Sequence, residues 1–436
     1  MPLGVARLKS VALVFAVLMG FSLGLLSCGY SAPSTYKPPS GVNTRVFASQ
    51  SVSSPTAFPG LIIINGGIDV IVRGGISAGS SPGLMAMSSD RKTVLVFDSG
   101  TNSVVVVNAT TESLAGSVPL SGRTTSMVAL PTGFGYVAEP GAILNGFPQG
   151  GVVVINTASG GAAATISVPN AQTVVASPDG THLLVFSNDS DSVTLLDPLL
   201  VNTGNQVTTT VPGFDRPAYA VFSADGGMAY ILNCGPECAS GTASPSIQTL
   251  DLAALAVGTP LAVDGATTGW LSGTTLYVAG TSPNHNSCPP GTTAAPTCGR
   301  LDIIDVSSTP TVTGSVVITD GYHDRIDLSS NGQLFIGSYG CSTVGNVNNP
   351  QGEVRGCLSI FDTTHPGNTT AVIPPDNGDV TGLQSFTSRY VEYVAEGGNL
   401  RVYDTTKDVL LKNSIIETGT IELAGRIIDV KAADFF

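Results

Sequence analysis

The chain is poor in charge. Only 11% of its 436 residues are charged, and Lys and Arg number 18 against 31 Asp and Glu, for a formal net charge of −13. That balance excludes a basic surface for nucleic acid. So few charges also exclude a coiled coil or helical bundle, whose helices are built from charged helix formers. There is one Trp, and there are four His: His182, His285, His323 and His365. No Cys-x-x-Cys-His run is present for haem attachment, and the scarcity of aromatics disfavours a redox or quinone-cofactor domain. Apolar residues are plentiful, at 42%, together with 52 Gly and 28 Pro. That hydrophobic content excludes wholesale disorder. What remains is a Gly-rich, strand-rich globular protein, long enough for several small domains or one large β-domain. Cysteine numbers seven, an odd count that needs an account.

Arg7 and Lys9 precede an apolar run, Val11 to Leu26, which falls short of the roughly 20 residues of a transmembrane helix. The run ends in Leu25-Leu26-Ser27-Cys28. A basic start, an apolar stretch, two Leu, a small residue and then Cys resembles the lipobox of bacterial lipoproteins. The resemblance implies cleavage before Cys28 and acylation of its thiol and new amine, and two or three chains anchor stably where one does not. Gly29 in the next place implies, in a double-membrane bacterium, the outer membrane or cell surface. The expected organisation is a signal peptide over 1–27, a lipidated tether over 28–43 rich in Ser, Pro and Gly, and a β-domain over 44–436. Loss of Arg7 and Lys9, with no acidic residue, takes the net charge from −13 to −15. The domain is therefore expected to meet the membrane through its lipid alone.

The rest of the chain repeats. Ala171 to Asp197 reads AQTVVASPDGTHLLVFSNDSDSVTLLD, and Pro82 to Asn108 reads PGLMAMSSDRKTVLVFDSGTNSVVVVN. Pro217 to Asn233, resuming at Ser246, and His323 to Ser338, resuming at Gly356, follow the same grammar. It runs apolar strand, Ser/Ala-x-Asp-Gly turn, apolar strand, variable loop, apolar strand ending in Asp or Asn, fourth strand. Asp179-Gly180 and Asp225-Gly226 supply the tight reversal. Strands such as Val104–Val107 and Val152–Ile155 are continuously apolar, as sheets buried on both faces require. Four short strands per unit, repeated in series, predict an all-β fold, a single β-propeller. LLVFSNDSDSVTLLD and TVLVFDSGTNSVVVVN resemble the YVTN-type repeats also found in the lactonase-like propeller family. Second and third strands pair eight times along the chain, which predicts eight blades. The first pair lacks an inner strand before it, and Arg426 to Val430 is a spare strand at the other end, so the C-terminal strand is expected to complete the first blade. Seven blades result if residues 45–72 form an accessory hairpin instead.

With Cys28 assigned to lipid, six cysteines fall in three long second-to-third-strand loops of neighbouring blades. Six allow 15 connectivities. Pairing within each loop, Cys234–Cys238, Cys288–Cys298 and Cys341–Cys357, is expected in an exported protein. Cys234-x-x-x-Cys238 also has a spacing that zinc tolerates, but with few His and an oxidising compartment no metal is expected.

The same face carries long inserts, 49–60, 139–150, 233–245, 280–299 and 338–355, whereas the opposite turns are tight. Long loops on a rigid scaffold are where binding sits. Aligning inner strands on the Asp-Gly turn puts Arg123 and Arg216 in one register with Ser81, Asn170 and Tyr322. Asp215, His323, Asp324 and Arg325 stand beside it, and the closing strand adds Arg426. These are the candidate ligand-binding residues: arginines to grip an anionic or carbohydrate ligand through forked hydrogen bonds, or, alternatively, groups that pair with Asp215, Asp324 or Asp327 and plug the channel. His323 beside Asp324 invites a general base, but no nucleophile is expected beside it, and no G-x-S-x-G elbow is expected in the chain. Asn188 to Asp191 lacks the Gly and distal Glu of a calcium loop. Trp270 reads as core.

The reading that follows is an envelope-anchored propeller that binds or scaffolds without catalysis and without a cofactor. Its expected partner is an envelope protein, a polysaccharide or a small anion. The alternative is a lactonase-like hydrolase with its site at the channel mouth.

Overall fold

The computed structural model describes residues 38–434, except 53–57, 188, 202–206, 239–243, 283–297, 342–355, 366, 370, 375–377, 387, 407–408 and 413–424. Each repeat folds as an antiparallel sheet, and eight such blades follow one another around a ring. No α-helix occurs among the described residues. Blade 1 is composite: its inner strand is Gly425–Ala432, paired antiparallel to Arg45–Val52, which leads out to Gly60–Asn65 and Val70–Ile76. The C-terminal strand thus closes the ring as the repeat count predicts, and Arg45–Val52, Gly60–Asn65 and Val70–Ile76 are blade strands and not an accessory hairpin, which decides eight over seven. Blade 5 splits its outer strand into Ala256–Val257 and Leu261–Ala262. In blade 7 the outer strand is reduced to a bridge between Ile360 and Val372.

The turns obey local chemistry. In blades 2, 4, 5 and 7 the first–second turn is closed by a Ser hydroxyl that donates to the Asp or Asn two residues on. The pairs are Ser88–Asp90 at 2.7 Å, Ser177–Asp179 at 2.6 Å, Ser223–Asp225 at 2.6 Å and Ser329–Asn331 at 2.8 Å. The same oxygen accepts the N–H that begins the next strand. Gly180 and Gly226 follow with φ of 71° and 73°, a left-handed conformation that a Cβ disfavours. The terminal Asp or Asn of the third strand has an equally local cause. Asn65, Asn108, Asn156, Asp197, Asp251, Asp305, Asp362 and Asp404 each accept a backbone N–H two or three residues ahead, closing the turn to the outer strand in all eight blades.

The core lies between blades. Eight apolar clusters fill the eight blade–blade interfaces. Side chains alternate along a strand, so Phe47, Leu61 and Ile63 pack on blade 2 while Val46, Ala48, Ile62 and Ile64 pack on blade 8. Both faces are therefore dry, which is why these strands carry no polar alternation. Each fully buried Val, Ile or Leu contributes about 1.5–3 kcal/mol. Arg45 ties the closure together: its guanidinium meets Asp434 at 2.7 Å and Glu112 at 3.0 Å and donates to the Ala109 carbonyl at 2.6 Å.

Candidate functional site

In a four-stranded antiparallel blade the first–second and third–fourth turns share one face. The second–third loops and the blade-to-blade links share the other. On that second face a cavity of about 740 Å³ opens over the starts of the inner strands. Part of its wall is hydroxyl-rich: Thr124, Thr125 and Ser126 from blade 3, Thr173 from blade 4, and Thr267 and Thr268 from blade 6. Blades 5 and 7, on either side of blade 6, add aromatic and acidic groups: Tyr219, Glu237, Tyr322, Asp324 and Tyr339, with Arg325 among them.

Glu237 reaches the cavity on a short 3-10 turn, Gly235–Glu237, held between Cys234 and Cys238, which are disulfide-bonded with Cα atoms 5.7 Å apart. Its Oε2 accepts the Thr281 N–H at 2.8 Å, and its Oε1 is buried with no hydrogen-bond partner. Burial pushes this carboxyl up to about 8, against the pull of the Thr281 bond, so it is largely neutral at pH 7. Asp324 is raised too, by burial first, although the Arg325 charge opposes this. Its Oδ2 accepts Arg325 Nη1 at 2.9 Å, whereas its Oδ1 is buried without a partner. The Tyr322 and Tyr339 rings lie 5.2 Å apart at their centroids. Burial raises the hydroxyls of Tyr219, Tyr322 and Tyr339, so all three remain neutral donors.

Tyr322, Asp324 and Arg325 therefore meet in one cavity wall. The other residues singled out from sequence stand elsewhere. Arg123 and Arg426 are exposed and do not line the cavity. Arg216 is a backbone corner with φ of 56°; its N–H donates to Asp191 at 3.3 Å and its carbonyl accepts Cys234 N–H at 3.2 Å. Asp215, next to it, donates its N–H to Asn233. Equal register along inner strands thus does not bring the arginines to one rim. Arg325 alone enters, and two of its three guanidinium nitrogens are committed inside the protein: Nη1 to the Asp324 carboxylate and carbonyl, and Nε to the Thr381 carbonyl at 2.8 Å. That is the plugging alternative for this residue.

His323 is fully buried; its Nε2 donates to the Thr319 carbonyl at 2.9 Å and its Nδ1 has no partner. Burial pushes it down to about 4, so it is a neutral ring supporting the blade 6–7 junction rather than a group at the cavity wall. Asp327 is likewise bound to backbone, accepting the N–H groups of Leu328 and Ser385. Trp270 packs half-buried against the core between blades 6 and 7. Asp189 and Asp191 accept hydrogen bonds from Asn170 and Arg216 in their turn, and Asn188 lies outside the described residues. The pattern G-x-S-x-G does occur three times: Gly20 to Gly24 lies outside the described residues, and the other two run over Gly75 to Gly79 and Gly79 to Gly83. Neither is an elbow. Ser77 is exposed beyond an outer strand, Ser81 is bonded to Ser51 and Ser99, and no α-helix follows.

Cys341 and Cys357 are bonded, with Cα atoms 5.6 Å apart, and Cys298 is disulfide-bonded, its expected partner Cys288 lying outside the described residues. Cys28 lies outside them as well. Among the described residues no three His, Cys, Asp or Glu side chains are grouped to hold a metal ion. Glu237, Tyr219 and Tyr339 escaped the sequence reading. The available signal for Glu237 was its place inside a five-residue cysteine loop.

No protein-family model matches the chain, and no curated protein matches its sequence. Solved structures do match. The dihydro-haem d1 dehydrogenase NirN, in complex with DHE, shares 13% identity over 92% of this chain and 76% of its own, with a TM-score of 0.58. Hydrazine synthase of Kuenenia stuttgartiensis shares 16% over 74% of this chain and 94% of its own, TM-score 0.52. A putative 6-phosphogluconolactonase of Bacteroides fragilis shares 12% over 92% of this chain and all of its own, TM-score 0.51. At such identities the likeness is one of fold.

Proposed function

We propose that the protein is an exported, lipid-anchored propeller that binds a neutral, hydroxyl-rich small ligand, of carbohydrate type, in the cavity on its long-loop face. The observation that carries this reading is the cavity wall. At this wall two carboxyl groups, Glu237 and Asp324, each keep one buried oxygen without a protein partner, beside three tyrosine hydroxyls and several Thr and Ser. Buried polar atoms are nearly always satisfied, so such atoms in a cavity wall call for a ligand. The wall offers tyrosine hydroxyls, Thr and Ser oxygens that can accept (the protons of Thr124, Ser126 and Thr267 go to backbone carbonyls), flat rings for a sugar face, and a single charge pair that is internally balanced. An anion would find one guanidinium there, already paired with Asp324.

The test is titration calorimetry of the exported protein with neutral mono- and oligosaccharides. Saturable binding is expected, weakened roughly tenfold by Tyr322→Phe or Glu237→Ala, the worth of one lost hydrogen bond. Glu237→Gln, which keeps a donor, retains binding. It also removes the fall in affinity expected of the native protein above pH 8, where Glu237 loses its proton. Absence of any saccharide binding, or indifference to Glu237→Ala, refutes the reading.

A second reading, a hydrolase, has one specific support. A carboxyl protonated at neutral pH at a cavity wall is what a general acid needs. That role falls to Glu237 and not to the buried His323. Lactone or glycoside turnover that is abolished by Glu237→Gln while binding persists favours this second reading.

A further inference from the structure

The described chain begins on the face opposite the cavity. Arg45 starts the second strand of blade 1, so residues 38–44 lie with the first–second and third–fourth turns. There Ser40 is clamped: its N–H and hydroxyl both donate to the Glu112 carboxylate at 2.6 Å, in the third–fourth turn of blade 2. Arg45 holds the same carboxylate and Asp434, so both ends of the ring are pinned on this face. The cavity wall is built from the other side: Glu237 from a second–third loop, Tyr339 from the end of a second strand, Tyr322 from the start of an inner one.

We propose that the anchored protein turns its cavity away from the bilayer, so that ligand and partner approach from the aqueous side. This rests on acylation of Cys28. Residues 29–37 span at most about 30 Å even when fully extended. A blade strand of six residues is about 20 Å long. Turning the cavity toward the lipid would use about two thirds of the tether in travelling along the ring's outer wall. The net charge of −15 after loss of Arg7 and Lys9 gives the domain no compensating attraction to an anionic surface. The hairpin Ile143–Pro148, whose Ile143 and Phe147 are 56% and 67% exposed, then projects from the cavity face toward partners and not toward lipid.

The experiment uses the acylated full-length protein in vesicles whose headgroups carry an energy-transfer acceptor. A dye is placed on blade 3 at Thr132→Cys, in the exposed first–second turn, or at Phe147→Cys, at the hairpin. The native cysteines are blocked by disulfide or acyl chain. A separation of about 20 Å across the blade is expected to give the Thr132 dye roughly twofold higher transfer efficiency. Equal or greater transfer from the Phe147 dye in an acylated sample overturns the orientation. Mass spectrometry of the N-terminal peptide separates the premise: an unacylated Cys28 overturns the anchoring and the orientation together.

Discussion

Glu392 offers a test of the packing argument that needs no ligand. It sits on the second strand of blade 8, fully buried, its carboxyl close to Asp327 and the Gln384 backbone but without a hydrogen bond of normal geometry. Burial raises its pKa well above 4.5, and the facing carboxylate of Asp327 raises it further, while Lys431 opposes weakly. The folded protein therefore keeps a proton here that the unfolded chain releases. The sign follows from linkage. Where the native state binds the extra proton, stability falls as pH rises, from the unfolded carboxyl's range near 4.5 up to the raised native value. The slope is about 1.4 kcal/mol for each pH unit over which only the folded chain holds the proton. Glu392→Gln removes that proton from the balance. The amide's own burial sets a constant offset of about 1–3 kcal/mol, of either net sign after the carboxyl is lost, but the offset does not depend on pH. Urea unfolding of both proteins at pH 5, 6, 7 and 8 is the assay. The stability of Glu392→Gln relative to the native protein is expected to climb with pH by about 1.4 kcal/mol per unit and then level off. A pH-independent difference refutes the claim that Glu392 is folded in its neutral form.

Two further outcomes are expected. Val430→Ala, which hollows the inner strand of blade 1 at a fully buried position, costs about 2 kcal/mol in thermal or urea unfolding, and Arg45→Ala, which strands two carboxylates, costs about 3 kcal/mol. A surface-like effect under 0.5 kcal/mol from both argues against closure by the C-terminal strand. The two described disulfides close loops of different length, with separations of 4 and 16 residues. Replacing Cys341 and Cys357 by Ser costs about 3 kcal/mol, and replacing Cys234 and Cys238 about 2 kcal/mol. Only the second pair of changes, which frees the turn that carries Glu237, also weakens saccharide binding in calorimetry. Equal loss of binding from both pairs contradicts the positioning role of the Cys234–Cys238 loop.

What the sequence determined by itself is what depends on near neighbours. The Ser-x-Asp-Gly turns and the Asp or Asn at each third strand's end are hydrogen bonds spanning two to five residues, so they can be read from the chain. Unbroken apolar strands announce sheets buried on both faces, and counting them yields eight blades and a spare strand to close the first. Cysteine spacing likewise yields the two bonded loops. The cavity is decided by strands from six blades whose sequence positions lie up to about 250 residues apart, as Leu84 and Tyr339 do. Register along an inner strand says where a residue sits in height, not whether it faces the channel, the neighbouring blade or solvent. That is why Arg123, Arg216 and Arg426 stand outside the cavity, His323 is folded into the core, and Glu237 reaches the cavity wall from a loop. Burial around the ring, absent from any single repeat, then sets the chemistry. It keeps Glu237 protonated to about pH 8 and leaves its free oxygen, with that of Asp324, without a protein partner.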